Sequence, residues 1–211
     1  MYIGVDEAGR GPVIGPLVVC AFASDSQDYL RELGVKDSKF LSKKKRNELF
    51  EILSKMEHKV IVCSPERIDI SPNLNSLEVE LFAEALADMP EGSIMLDACD
   101  VNEERFAKNV SKLSERECSA EHKADENHPE VSAASIIAKV TRDKIIDELK
   151  DEIGFDIGSG YPSDPKTKLA VAELVKGKLP HDCLRWSWKT VENAMGRAPP
   201  LRKDTSQQTL F

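Results

Sequence analysis

The chain opens on Tyr2-Ile3-Gly4-Val5, an apolar run that passes straight into Asp6-Glu7-Ala8-Gly9-Arg10-Gly11. The run reads as a buried strand, so any fold this chain adopts has to bury a strand that ends in two adjacent carboxylates. Acids set beside apolar residues lose hydration and are unfavourable unless a positive charge compensates them. A divalent cation is the compensation that suits this pair. The glycines on either side of Arg10 leave backbone amides open to a ligand.

The remaining pattern places that strand in a mixed sheet. Residues 15–24 read as a second strand, joined to the first by a turn at Arg10–Ile14, and so short a connection favours an antiparallel start. Lys59–Cys63 reads as a third strand, Ser93–Asp97 as a fourth that again terminates in acid, and Glu117–Lys123 as a fifth. Ser42 is placed to cap a helix over Lys43–Met56, where Leu49, Phe50 and Leu53 recur at helical spacing. Ser76–Met89 carries Leu77, Leu81, Ala85 and Met89 on one stripe and stops at Pro90-Glu91-Gly92. Val101–Leu113 is expected to be helical, and Pro129–Ile153 to be one long helix with proline in its first turn. Strands first adjacent and then alternating with helices predict an α/β arrangement, a mixed sheet covered by helices. Residues 1–160 are expected to form the main α/β domain, 161–196 a helical lobe after a connector over Gly154–Pro165, and 197–211 a flexible polar tail.

The 211 residues, 41% of them hydrophobic, suit one substantial globular domain. Leu17–Ala23 is far too short to cross a bilayer, and a strand at the very start argues against a signal peptide. Five scattered cysteines without a CxxC pair read as reduced thiols, so a cytoplasmic protein is expected and a zinc site is not. A formal charge of −8 argues only superficially against a nucleic-acid partner. Cations gather in three sets: Lys36 to Arg46; Lys139, Arg142 and Lys144; and Lys166 to Lys189, the last including Arg185. Segregation of that kind can make one face positive. Read alone, each set is equally well a solvated helix surface.

Asp6, Glu7, Asp97 and Asp125 each fall at the end of an apolar strand or the start of a helix, where ligands collect in open α/β sheets. Two divalent ions about 4 Å apart can clamp a phosphodiester using carboxylates alone. Alternation along a strand points Asp6 and Glu7 to opposite faces, so Asp6 is the better central ligand and Glu7 reaches the site only if the strand ends just beyond it. Taken singly, Asp97 reads as a strand-end turn residue and Asp125 as a helix cap. Together the four favour a metal site, and spacing alone does not decide.

Asp6 to Pro16 resembles the N-terminal signature of ribonuclease HII, type 2 ribonuclease H, in its archaeal form. The likeness continues through Asp37-Ser38-Lys39, Leu96-Asp97, Lys123-Ala124-Asp125, the block Val131–Asp143 and Gly158–Asp164, in order over roughly residues 1–190. The resemblance implies the ribonuclease H-like fold: a five-stranded mixed sheet flanked by helices, with a small helical C-terminal lobe. It implies a monomeric endonuclease of RNA–DNA hybrids that also nicks 5′ of single ribonucleotides in duplex DNA, leaving 5′-phosphate and 3′-hydroxyl ends. Such an enzyme serves ribonucleotide excision and DNA replication. Asp6, Glu7, Asp97 and Asp125 would hold two Mg²⁺ or Mn²⁺ ions. Gly9, Arg10 and Gly11 would read the 2′-hydroxyl, which alone separates ribose from deoxyribose locally. Tyr161 would contact the next sugar, and Ser38 and Lys39 a phosphate. Ribonuclease HIII has an extra N-terminal domain where this chain has five residues before Asp6, and type 1 enzymes have a different opening; both fit less well. Ser206–Phe211 resembles the start of a sliding-clamp peptide through Gln207, Leu210 and Phe211, but lacks the final aromatic pair. A disordered tail is the alternative.

Overall fold

The computed structural model describes residues 1–35 and 41–202. Strands β1 (Tyr2–Ala8), β2 (Leu17–Ser24), β3 (His58–Cys63), β4 (Ser93–Asp97) and β5 (Cys118–Glu121) form one sheet in the order β3-β2-β1-β4-β5. β1–β2 and β2–β3 pair antiparallel, while β1–β4 and β4–β5 pair parallel. The mixed sheet expected from the alternation of elements is therefore present. No helix among the described residues is long and apolar enough to cross a membrane.

Period-2 alternation sorts the two central strands between two cores. Ile3 and Val5 of β1, with Leu17, Val19 and Ala21 of β2, pack against Leu77, Leu81 and Phe82 of α4 (Leu74–Leu86) and Phe106 of α5 (Glu103–Ser114). Phe82 and Phe106 meet edge to face at 5.1 Å, so truncating either to alanine would destabilise this side by about 3–5 kcal/mol. On the other face Ala8, Val18, Cys20 and Phe22 pack against Ala133, Ala134, Ile136 and Ile137 of α7 (Pro129–Ile153), joined by Leu49 and Leu53 of α2 (Lys43–Leu53). Asp6 lies in the register of this second face, opposite Cys20 of β2. Glycine at position 4 is what lets α7 sit so close: a Cβ there would lie 2.3 Å from the carbonyl carbon of Glu130.

A third core joins Val13, Ile14 and Ile146 to Ile157, Ala170 and Val171 of the C-terminal region, with Leu184 and Val191. Here α8 (Pro165–Leu174) and α9 (Lys189–Met195) are separated by irregular chain that bridges Leu184 to Ile14. Arg202 closes this part of the molecule, pairing with Asp69 at 3.0 Å and lying over the Trp186 ring at 4.1 Å.

Ser42 caps α2 as its sequence predicts, accepting from the Lys45 N–H. Three short helices were not anticipated: α1 (Gln27–Glu32), α3 (Pro65–Ile70) and α6 (Ala124–Asn127). Each is too short for a helical stripe to show. Ser26 and Ser64 do cap the first two, a local signal that a sequence reading can use. The five cysteines carry free thiols.

Candidate active site

Asp6, Glu7 and Asp97 each bring a carboxylate oxygen within 4.8 Å of the others. The alternation expected along β1 holds. Asp6 is buried on the α7 side, where the Ser135 hydroxyl reaches it, and Glu7 emerges on the α4 side beside Glu78 and Cys99. Their carboxylates converge where β4 stops pairing at Val5↔Leu96, three residues before β1 ends, which leaves space for Asp97. β1 itself ends at Ala8, one residue beyond Glu7, as expected, and the pairing with β4 stops earlier still. The Cys99 thiol donates to Glu7 Oε2 at 3.5 Å.

Burial, reinforced by the Glu7 and Asp97 charges, raises the Asp6 carboxyl well above the usual carboxylate range. An all-oxygen group that repels itself in this way fits a hard divalent cation, whose charge would favour the ionised form of all three.

Asp125 reaches the same place by a different route. Lys123 adopts a left-handed φ of 58°, which turns the chain from β5 into α6. The Ala124 N–H then donates to Asp97 Oδ1 at 2.8 Å, tying the start of α6 to the end of β4. Pro129 keeps His128 extended, separating α6 from α7, and the Ser132 hydroxyl donates to the Asp125 carbonyl. Asp125 is buried and lines a cavity of about 300 Å³ with Asp6, Glu7 and Asp97, outside the tight group of three.

Gly9, Arg10, Gly11 and Tyr161 line that cavity too. Gly9 has φ +94°, and a Cβ would fall 2.2 Å from Arg142 Nε, so glycine is required by both conformation and space. The Tyr161 ring packs beside Gly11, with Arg142 over its face at 5.8 Å. Two buried arginines hold this loop by its carbonyls. Arg185 donates to Gly9, Arg10 and Gly15, and Arg142 to Ile14 and Pro16. Burial pushes both guanidiniums down from their ordinary range, for Arg185 with help from the Arg142 charge. With the Gly9 and Arg10 carbonyls occupied, the peptides of Gly9–Gly11 have their N–H groups to offer outward.

The structure brings all four predicted acids together with Gly9, Arg10, Gly11 and Tyr161. Ser38, Lys39, Gln207, Leu210 and Phe211 lie outside the described residues. Ser135, Arg46, Lys139 and Arg142 line the cavity as well and were not singled out as site residues. The 135/139/142 spacing on one predicted helix is the signal that could have found three of them. The first and second basic sets therefore reach the site. The third does not line it, although its Arg185 holds the loop from behind. Glu78 was also missed; an acid within the apolar stripe of α4 was its trace in the sequence.

A mixed sheet in this order, with acids from the adjacent strands β1 and β4 meeting at one end beside a glycine loop, defines a hydrolase of the ribonuclease H fold. The family model described as ribonuclease HII matches residues 3–191. Ribonuclease HII of Methanocella arvoryzae is 47% identical over 198 residues, 89% of this chain and 88% of that protein. The Archaeoglobus fulgidus protein is 44% identical, covering 92% and 96%. The crystal structure of ribonuclease H2 from Pyrococcus horikoshii superposes with a TM-score of 0.85 at 42% identity, covering 92% of this chain and 97% of that one. A PCNA–ribonuclease HII complex from Archaeoglobus fulgidus matches with a TM-score of 0.84 at 42% identity, covering 99% and 100%. Bst ribonuclease HIII, solved with Mn²⁺, shares the fold at 22% identity with a TM-score of 0.77, covering 92% and 69%. The chain belongs to the ribonuclease HII family and is a ribonuclease H hydrolase.

Proposed function

We propose that this enzyme cleaves the RNA strand of RNA–DNA hybrids and nicks 5′ of single ribonucleotides embedded in duplex DNA, leaving 5′-phosphate and 3′-hydroxyl ends. One observation carries the reading: three carboxylates at ligand spacing share a cavity with a glycine loop and a tyrosine. Asp6, Glu7, Asp97 and Asp125 would hold two Mg²⁺ or Mn²⁺ ions. When bound, such ions activate water and stabilise the leaving oxygen.

The chain's own residues do the rest. Arg46, Lys139 and Arg142 line the cavity and attract phosphate, which positions the strand. The N–H groups of Gly9–Gly11 approach a sugar closely enough to bond its 2′-hydroxyl, and the half-exposed Tyr161 ring stacks on the sugar that follows. Burial of Asp6 and Asp125 keeps bulk water from that side of the site.

The sliding clamp is proposed as a partner through Gln207, Leu210 and Phe211. Support comes from the related Archaeoglobus fulgidus protein, which has been solved with PCNA. The buried Arg202 anchors the root from which that segment departs.

A duplex with one embedded ribonucleotide, tested beside an all-DNA duplex, decides the main reading. Cleavage is expected only at the ribonucleotide, only with Mg²⁺ or Mn²⁺, and is lost on chelation. Equal cutting of both duplexes, or cutting of neither, overturns it.

A further inference from the structure

Glu78 sits on the core-facing side of α4 between Leu77 and Leu81, with no solvent exposure. Burying a carboxylate among apolar side chains is unfavourable by several kcal/mol unless it is well partnered. Its partnering is narrow. Oε1 accepts from Arg10 Nε at 2.7 Å, whereas Oε2 has no hydrogen-bond partner among the described residues. One turn earlier on α4, Asn75 Oδ1 accepts from Arg10 Nη2 at 2.8 Å. Glu78 also approaches Glu7 and the Cys99 thiol, each offering an atom within 4.8 Å of the others.

Arg10 is thereby held from two directions. Its carbonyl is fixed by Arg185 from the C-terminal region at 2.8 Å, and its side chain is fixed by α4. The residues on either side of it are glycines, which have no side chain with which to anchor the loop. Arg185 and Trp188 grip the loop carbonyls from outside, and the Arg10 guanidinium is the one side chain that Gly9–Gly11 itself offers for anchoring. A guanidinium fork caught by two acceptors on one helix turn fixes orientation as well as distance.

We propose that Glu78 and Asn75 are positioning residues for ribose recognition, holding the Arg10 guanidinium against α4 so that the Gly9–Gly11 peptides meet the sugar in one fixed orientation. The inference rests on the sugar-reading role proposed above. Its logic is that 2′-hydroxyl selection by backbone groups fails once the loop can rock, even when the metal ligands are intact.

The test compares affinity for a duplex containing one ribonucleotide with affinity for the same all-DNA duplex. It is run in an Asp6→Asn background so that no turnover interferes. Glu78→Ala is expected to reduce the ratio of the two affinities about tenfold, the loss of one charge-assisted bond to the positioned group. Affinity for all-DNA duplex should stay within about twofold. Glu78→Gln keeps an acceptor for Arg10 Nε and should restore most of the ratio. Asn75→Ala, at a more exposed site, should give a smaller loss and remains informative if Glu78→Ala does not fold. Arg10→Ala combined with Glu78→Ala should be no worse than Arg10→Ala alone. An unchanged ratio in folded Glu78→Ala or Asn75→Ala protein overturns the proposal, as does an equal drop on both duplexes. If the parent protein itself shows no ribonucleotide preference, the functional reading has failed instead.

Discussion

Asp6, Glu7 and Asp97 concentrate negative charge at one edge of the cavity, while Arg142 and Arg185 bury positive charge behind the glycine loop at another. The acids repel one another, and burial with this repulsion raises the Asp6 carboxyl. Both arginines direct their hydrogen bonds to backbone carbonyls of residues 9–16. One region is thus unfavourable until a cation arrives, and the other is already satisfied without a ligand. The contrast separates two tasks. Side-chain charge that must be neutralised builds a metal centre, and backbone geometry that must not move builds a reader of sugar shape.

Substitutions can test the two regions separately. The largest effect is expected from Asp6→Asn, which keeps the shape but removes the central charge. Turnover should fall by about 10³-fold or more, with duplex affinity little changed. Single-turnover cleavage beside a binding isotherm reads both, and retained turnover would remove Asp6 from the metal centre. Gly9→Ala attacks the loop without touching an acid. The added Cβ meets Arg142 Nε at 2.2 Å in a left-handed backbone. A loss of about 2–4 kcal/mol of stability and about 100-fold in kcat/KM is expected, with metal affinity preserved. Parallel loss of metal binding, followed by titration calorimetry, would show that the two regions are not separable.

The smallest effect is a pH dependence of the metal-free protein. Asp6 is raised by burial, and Glu78 is pushed up to about 7 by burial against the pull of Arg10. Raised acids keep protons in the folded state that the unfolded chain releases, so stability falls as pH rises from about 4.5 to 7. A decline of about 1–3 kcal/mol is expected from denaturant unfolding in chelator. Mg²⁺ or Mn²⁺ should offset it, and Asp6→Asn with Glu78→Gln should flatten it. Stability rising with pH across that window would contradict the charge-crowded picture of the acids.

Much of this molecule can be read locally. β1, β2 and β4 announce themselves as short apolar runs, Ser42 as a cap and Pro129 as a helix start. The tandem acids after such a strand point to a cation before any fold is known. Glu78 and Arg185 could not be placed in the same way. Glu78 looks like an interruption in an apolar stripe until Arg10, 68 residues away, accounts for it. Arg185 looks like one more surface cation until Gly9, 176 residues away, receives its hydrogen bond. Residues 161–196 read as a helical lobe, and nothing local shows that Leu184 and Arg185 lie in irregular chain between α8 and α9 that serves the first loop.

From the order of residues alone came the alternation that sends Asp6 and Glu7 to opposite faces, the glycine-flanked arginine and the family likeness. Local sterics and hydration act within a few residues, and those forces are written in the chain. Tertiary structure decided that Glu7 and Asp6 nonetheless meet, where the pairing of β4 with β1 stops three residues short of the end of β1. It also decided that Asp125 joins them through the turn at Lys123, and that buried arginines from α7 and the C-terminal region hold the loop. Those outcomes depend on which strand ends where and which carbonyls lose water, and both are settled only when distant segments pack.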